Sequence, residues 1–469
     1  MWYKTTSRRV SVKIRFLGAA RQVTGSCYHL SVNDMQFLVD CGMQQGENAE
    51  NGRPFTFQPS EIACLFLTHA HIDHSGLIPK LVKEGFRGQI ITTGATAALV
   101  KIMLHDSAHI QEKEAEWKTR KALRQGQDHV FEPLYTVEDV AAALPFFVEK
   151  EYGETGRVGK GLKYCFIDAG HILGSSTFAL WYQDSPVEKK IVFSGDIGNK
   201  GNPIIADPEL TTTADYVVME STYGNRLHKG VKESIDELVE AVKVTFKKGG
   251  NVIMPVFAVG RTQDLIYILN EQVALKRLPP FDLYIDSPLA NEATKVYLTH
   301  WRYFDEEARK FSQVIRGDAI KPHFTESIEE SQAINRIKSG AVVMAGSGMC
   351  EGGRVAHHLK HNLWRPECSI VFTGFQARGT LGRRIVDGAS HVHVLGEEIA
   401  VRAKVYTING FSAHADRSGL LEWLSSFVSR PEVFVVHGEE NVAIDFAKLV
   451  EEKLGLVTHV PHREDEFVI

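Results

Sequence analysis

The amino-acid sequence predicts an α/β protein in which one domain interrupts another. Three observations carry this expectation. The chain has 469 residues, more than a single hydrophobic core usually serves. Its first two hundred or so residues read as short β-rich runs broken by turn residues. After about residue 225 the pattern changes to strands that run through Gly-rich loops into helices, and after about residue 400 it turns strand-like again. The boundaries read from these changes are 1–222 for the first part of one domain, 223–399 for the insert and 400–469 for the completing part.

Taken in order, SVKIRFLGA, SCYHLSV and MQFLVDCG are strand-like, separated at Gly25 and at Asn33-Asp34. ACLFLT is a further strand that ends at His69, and Leu77, Ile78, Leu81 and Val82 then recur at helical spacing until Gly85. QIITTGATAALVKIMLHDSAHI reads as strand then helix, and the charged run 111–130 extends it as an exposed helical excursion. Strands return at KYCFIDAG, TFALWYQ, KKIVFSGD and ADYVVMES. In the insert, NVIMPVF, AVVMAGSG and SIVFTGF each lead through a glycine-containing loop toward a helix. Such units in series predict a mostly parallel sheet whose working loops lie at the carboxyl ends of its strands.

Bulk properties exclude several classes. Hydrophobic content of 43% and charged content of 24% are those of an ordinary soluble protein. No stretch approaches the roughly 18 uninterrupted apolar residues of a membrane span. The start, MWYKTTSRRVSVK, has no apolar core of a secretory signal, so a cytoplasmic location and no membrane partner are expected. The six cysteines stand singly, without a C-x-x-C pair, which argues against a disulfide framework and against a thiolate zinc site. The formal charge of −5 means that any polyanion is held by local charge rather than by a generally basic surface.

The strongest local signal is Thr68-His69-Ala70-His71-Ile72-Asp73-His74. Residues two apart on extended backbone face the same way, so His69 and His71 can grip one ion. Asp73 and His74 lie where the chain turns into a helix, aimed at a second point nearby. Three histidines and an aspartate clustered after an apolar strand have no ordinary structural role. A catalytic zinc takes three protein ligands and a water, and a two-metal site needs more, including a bridging carboxylate. His171 in DAGHILGSS, Asp196 in FSGDIG and His437 in VVHGE all stand at strand ends and supply the ligand types that the first cluster lacks. Other histidine pairs (His105 and His109, His357 and His361, His391 and His393) read as solvated faces.

These segments, with MESTYGNR, the Gly-rich insert and FSAHAD, resemble in order the β-CASP branch of the metallo-β-lactamase superfamily. Within it they resemble the RNA-processing ribonucleases of the cleavage-and-polyadenylation-specificity-factor-like and ribonuclease J-like kinds. The resemblance implies an αββα metallo-β-lactamase sandwich carrying an inserted α/β β-CASP domain. It implies two zinc ions per chain, one held by His69, His71 and His171 and the other by Asp73, His74 and His437, with Asp196 bridging. Asp40 is then a carboxylate that supports the ligands and the catalytic water, and Glu220 and His414 match the branch's acidic and histidine motifs. His437 favours the RNA-cutting members over the DNA-repair members.

The reaction expected is hydrolysis of RNA phosphodiester bonds, endonucleolytic or 5′→3′ exonucleolytic, giving 5′-phosphate and 3′-hydroxyl ends. Two zinc ions bring the pKa of a shared water from 15.7 to about 7, so that hydroxide attacks phosphorus, with Asp73 among the catalytic side chains. His414, not required as a ligand, is the candidate acid for the leaving oxygen, with Glu220 orienting it. Single-stranded RNA is expected in a cleft between the domains, and a homodimer is admitted. Loops 258–262, 346–354 and 376–383 offer backbone N–H groups and Arg261, Arg354, Arg378 and Arg383, while Ser347 and Ser412 are candidate phosphate donors. N-capping is the plainer role for either serine. Alternatives are a hydrolase of small thioesters or lactams, a DNA nuclease of the same superfamily, and a silent scaffold. Against the first stands the size of the insert, and against the last the presence of every ligand. Parallel assays on DNA and RNA of one sequence separate the remaining two.

Overall fold

A computed structural model describes residues 12–33, 35–46, 49–159, 161–184, 187–309, 320–374, 376–377 and 379–469. The chain divides into two compact units. The first contains the described residues through Lys200, then Asp207–Leu227 and His414–Ile469; the second contains Gly201–Ala206 and His228–Ala413.

Two seven-stranded sheets form the first unit. One holds β1 (Val12–Phe16), β2 (Tyr28–Val32), β3 (Met35–Val39), β4 (Ile62–Phe66), β5 (Gln89–Thr93) and β6 (Phe147–Lys150) in sequential order. The other holds β7 (Gly156–Val158), β8 (Leu162–Asp168), β9 (Ser176–Asp184), β10 (Val187–Phe193) and β11 (Tyr216–Glu220). Strands from the chain's last segment complete both.

Side-chain alternation explains why the sheets face one another. In β10 and β11, Ile191, Phe193 and Val218 enter the core between the sheets, whereas Val192, Val217 and Met219 face outward. The outward residues are covered by Leu420, Trp423 and Leu424 of the helix Arg417–Ser425 and by Phe446 and Val450 of the helix Glu440–Leu454. This period of two is what a sheet buried on both faces requires. The charged run after residue 110 continues a single helix, Gly94–Arg124, with Trp117 and Leu123 exposed near its end.

In the second unit a six-stranded, all-parallel sheet contains β12 (Val252–Pro255), β13 (Asp282–Asp286), β14 (Lys321–Phe324), β15 (Ala341–Ala345) and β16 (Ser369–Phe372). After the hairpin β17 (His391–Val394) and β18 (Glu397–Ala400), β19 (Lys404–Thr407) joins the edge beside β16. Residue 399 therefore does not end this unit. The parallel pairing of β19 with β16 keeps the chain there through Ala413, and the return to the first unit falls at His414. Both sheet faces are covered: Met254 and Val342 pack with Leu238 and Leu265, and Ile253 and Val343 pack with Val355 and Leu359. The first unit is closed by β20 (Glu432–Val436), β21 (Thr458–His459) and β22 (Glu466–Val468). Among the described residues no helix is long and apolar enough to cross a membrane.

Candidate metal centre

The carboxyl ends of strands in the first unit bring the seven expected ligands to one place. His69 and His71 follow β4, and Asp73 and His74 lie in the helical turn Ile72–Ser75. That turn is hooked to the strand ends: Ser26 donates its N–H to the Asp73 carbonyl at 2.8 Å and Cys41 donates to that of His74 at 2.8 Å. Gly42 passes so close that a Cβ there would lie 1.7 Å from the Asp73 carbonyl oxygen. His171 sits in the turn after β8, where Ser175 Oγ accepts its N–H at 3.0 Å. Asp196 follows β10, and His437 follows β20 in the left-handed region at φ 48°. Asp40, after β3, is also left-handed at φ 60°. Such backbone costs on the order of 1–3 kcal/mol and persists where surrounding structure imposes it.

The side chains form two clusters that share Asp196. His71 Nδ1 lies 3.1 Å from His69 Nε2 and 3.2 Å from His171 Nε2. Asp196 Oδ2 is 3.3 Å from His69 Nε2 and 3.5 Å from His171 Nε2. The other oxygen, Oδ1, is 3.4 Å from His74 Nε2 and 3.8 Å from His437 Nε2. Those two nitrogens are 3.2 Å apart, and Asp73 Oδ2 is 3.6 Å from His437 Nε2. Asp196 Oδ1 is buried and accepts no hydrogen bond among the described groups. An anionic oxygen in that position is costly without a counter-charge.

Hydrogen bonds from behind set which ring nitrogen faces inward. Asp40 Oδ2 lies 2.7 Å from His74 Nδ1, and a carboxylate only accepts, so Nδ1 carries a proton and Nε2 is the nitrogen left to face an ion. The Thr68 hydroxyl donates to Asp40 Oδ2 at 2.9 Å and accepts from His69 Nδ1 at 3.1 Å. Thr222 does the same for His437, donating to its carbonyl at 3.1 Å and accepting from Nδ1 at 3.0 Å. Neither threonine has a role assigned from the sequence, although each lies within a quoted motif.

Electrostatics agree with cation binding. Burial lowers the pKa of His69, pushes His171 well below the usual imidazole range and takes His71 to about 3. All three present neutral rings, the form that ligates metal. For His74 burial works downward, but Asp196 and Asp40 outweigh it and draw positive charge to the same point. Burial raises Asp73 and Asp196, yet the surrounding imidazoles hold both carboxylates below their usual range. Nitrogen and oxygen donors converging around an unsatisfied carboxylate oxygen fit a metal of zinc's preferences.

His414 stands beside this set. Its Nδ1 lies 3.1 Å from Glu220 Oε2 and 3.2 Å from Oε1, and 3.9 Å from Asp196 Oδ2. Glu220 is buried and also accepts the Ile197 N–H at 2.6 Å. Burial lowers the His414 pKa, but the Glu220 and Asp196 carboxylates outweigh it and raise it to about 9.

Three family models cover most of this architecture. The metallo-beta-lactamase superfamily matches residues 21–155, the Beta-Casp domain matches 262–385, and the Zn-dependent metallo-hydrolase RNA specificity domain matches 398–461. Ribonuclease TTHA0252 of Thermus thermophilus is 40% identical over 92% of this chain and 94% of its own length. This chain belongs to the β-CASP branch of the metallo-β-lactamase superfamily. The branch is one of zinc-dependent hydrolases, and its inserted α/β domain is the second unit described above. Transcription termination factor FttA of Methanosarcina mazei is 31% identical over 97% of this chain and 71% of its own. An RNase J-like protein of Methanocaldococcus jannaschii is 29% identical over 96% and 98%. A crystal structure of a protein of unknown function from Enterococcus faecalis V583 shares the fold alone, with TM-score 0.58 at 10% identity, covering 98% of this chain and 100% of that one.

The β-CASP unit treats the expected substrate-binding residues differently. Arg261 opens the helix Arg261–Ala274, mostly buried, with its guanidinium 3.8 Å from Asp264 and 5.9 Å from the Phe411 ring centre. Arg354 is drawn inward, donating to buried Asp286 at 2.7 Å and to the Glu326 carbonyl at 2.8 Å. It is an internal counter-ion rather than a surface charge. Arg383 remains exposed and pairs with Asp387 at 2.9 Å. The Ser347 hydroxyl donates to Gly352 O within its own loop at 3.3 Å. Ser412 is partly buried just after the 3-10 turn Asn409–Phe411. Arg378 lies outside the described residues. His358, passed over in the sequence, is buried with its Nε2 2.7 Å from Asp286, while His357 and His361 are exposed on the same helix.

Proposed function

We propose that this protein is a two-zinc ribonuclease that hydrolyses RNA phosphodiester bonds to leave 5′-phosphate and 3′-hydroxyl ends. The observation that carries the reading is the division of Asp196, one oxygen toward His69 and His171 and the other toward His74 and His437. His69, His71 and His171 would hold one ion and Asp73, His74 and His437 the second, with Asp196 within reach of both. The RNA specificity domain matched at 398–461 and a relative named as a ribonuclease support RNA as substrate.

When bound, the pair of zinc ions supplies hydroxide at neutral pH and neutralises charge on phosphate. The chain's own residues do the rest. Asp40, Thr68 and Thr222 hold three imidazoles in the ligating tautomer, as supporting partners of metal ligands do. His414, kept protonated by Glu220, gives its proton to the leaving 3′ oxygen. Burial of the carboxylates around the cluster keeps their charge unscreened.

The test is incubation of zinc-loaded protein with labelled linear and circular RNA and with single-stranded DNA of the same sequence. The proposal expects RNA fragments with 5′-phosphate ends and two zinc ions per chain by elemental analysis. Cutting of circles assigns endonuclease action, and shortening of linear RNA alone assigns attack from the 5′ end. Intact RNA in every arm, with zinc present, refutes it.

A further inference from the structure

We propose that Arg226, laid across the ring of Tyr223, binds the RNA phosphate one nucleotide upstream of the scissile bond, with Tyr223 orienting it. This rests on His414 as the acid for the leaving oxygen, since the pair is reached through that histidine. The segment Glu220-Ser221-Thr222-Tyr223-Gly224-Asn225-Arg226 leaves β11 in a tight turn. Ser221 donates its N–H to His437 O at 3.1 Å, Gly224 donates back to Ser221 O at 3.0 Å, and Arg226 donates to Tyr223 O at 3.2 Å. The turn is pressed against the last long helix, where a Cβ on Gly224 would lie 2.7 Å from Phe446 Cβ. Arg417 then donates to the Arg226 carbonyl at 3.0 Å.

The turn thus presents two side chains in series beyond His414. The Tyr223 ring meets that of His414 edge-on, with centroids 5.9 Å apart and planes at 67°. The Arg226 guanidinium lies 5.4 Å from the Tyr223 centroid, and Asn225 Oδ1 accepts its Nε–H at 3.3 Å. Arg226 is exposed and Tyr223 half-buried. His414 itself stands 4.5 Å from the His171 ring.

Charge gives this cation its purpose. The centre contains four buried or part-buried carboxylates, Asp40, Asp73, Asp196 and Glu220, in a chain of net charge −5. The two zinc ions of the proposed function balance these four charges and serve the scissile phosphate, so the neighbouring phosphates are left to the chain's own cations. A stacked guanidinium is already ordered, and its planar fork matches a phosphate. The leaving oxygen is the 3′ oxygen of the upstream nucleotide, so a cation on His414's flank meets that nucleotide's own phosphate.

The experiment places an uncharged methylphosphonate at that single upstream linkage of an RNA and reads cleavage at the next bond on a gel. In wild type the replacement raises KM about ten-fold, the loss of a charge-assisted contact. Arg226→Ala raises KM for ordinary RNA by a similar factor, and the methylphosphonate then adds nothing. The slope of log KM against log salt falls by about one in that variant. Tyr223→Leu shifts KM in the same direction with kcat moved less, and Tyr223→Phe restores it. An undiminished methylphosphonate penalty in Arg226→Ala overturns the assignment. Wild-type protein that cuts no RNA refutes the ribonuclease reading instead, a separate outcome.

Discussion

Replacing Asp40 by asparagine probes the centre through a residue that touches neither cluster's inward-facing atoms. Asp40 accepts three hydrogen bonds, from Thr68 N at 2.8 Å, Thr68 Oγ1 at 2.9 Å and His74 Nδ1 at 2.7 Å. An amide has one oxygen and one NH2. If its oxygen keeps the Thr68 N–H, the NH2 faces His74 Nδ1, and that nitrogen must now accept. The proton moves to Nε2, the atom that faces Asp196 Oδ1 and His437, and His74 stops being a ligand. Supporting residues of this kind are worth about 10–100-fold in metal affinity, or roughly 1.4–2.7 kcal/mol. The larger loss falls on the His74 side, because His71 and His171 have no contact with Asp40 among those described and His69 meets it through Thr68, whose hydroxyl loses its Oδ2 acceptor but can still accept from His69 Nδ1. Competition against a chromophoric chelator resolves two zinc sites in wild type. In Asp40→Asn one site weakens by that factor and the other by less than about three-fold, within ordinary mutational scatter. Equal weakening of both sites, or of neither, refutes the tautomer argument.

Three further perturbations follow from the same geometry. His414→Ala lowers kcat by about 10²–10⁴-fold, the usual worth of a proton donor, while zinc content by elemental analysis stays at the wild-type value. Gly42→Ala drives a methyl group onto the Asp73 carbonyl and costs several kcal/mol, on the order of the largest single-site effects; urea denaturation measures it. In the β-CASP unit burial raises the Asp286 pKa, but hydrogen bonds from His358, Ser331, Thr325 and Arg354 outweigh it and hold the carboxyl below its usual range. A depressed folded pKa stabilises above the unfolded value of about 4, and that stability is lost as pH falls through it toward the folded value. Wild-type urea midpoints therefore decline below about pH 4. Asp286→Asn starts about 3–5 kcal/mol lower at neutral pH and shows a shallower decline.

The cluster of candidate ligands was legible in the sequence because four of its residues are neighbours and the others end apolar strands. His69 to His74 announce themselves by clustering, and His171, Asp196 and His437 by their place before glycine-containing turns. Thr68 and Thr222 were not legible, because a hydroxyl matters here only for the imidazole it happens to face, 3.0–3.1 Å away. Arg354 was over-read for the same reason. Arg354 is neutralised by Asp286, a residue 68 positions away, and no local pattern discloses that pairing. The end of the insert was placed early, because strand AKVYTING carries no mark of which sheet it joins, and only its parallel register with β16 assigns it. The αββα layering came with the family resemblance, and the structure supplies its physical basis: the two faces of β10, β11 and β20 enter different cores.

The central claim is a pair of ions sharing Asp196, and anomalous diffraction at the zinc edge from crystals of the zinc-loaded protein tests it most directly. Two peaks about 3.5–4 Å apart are expected, one against His69, His71 and His171 and one against Asp73, His74 and His437, with a carboxylate oxygen of Asp196 on each. A single fully occupied peak in protein that cleaves RNA at its full rate contradicts it.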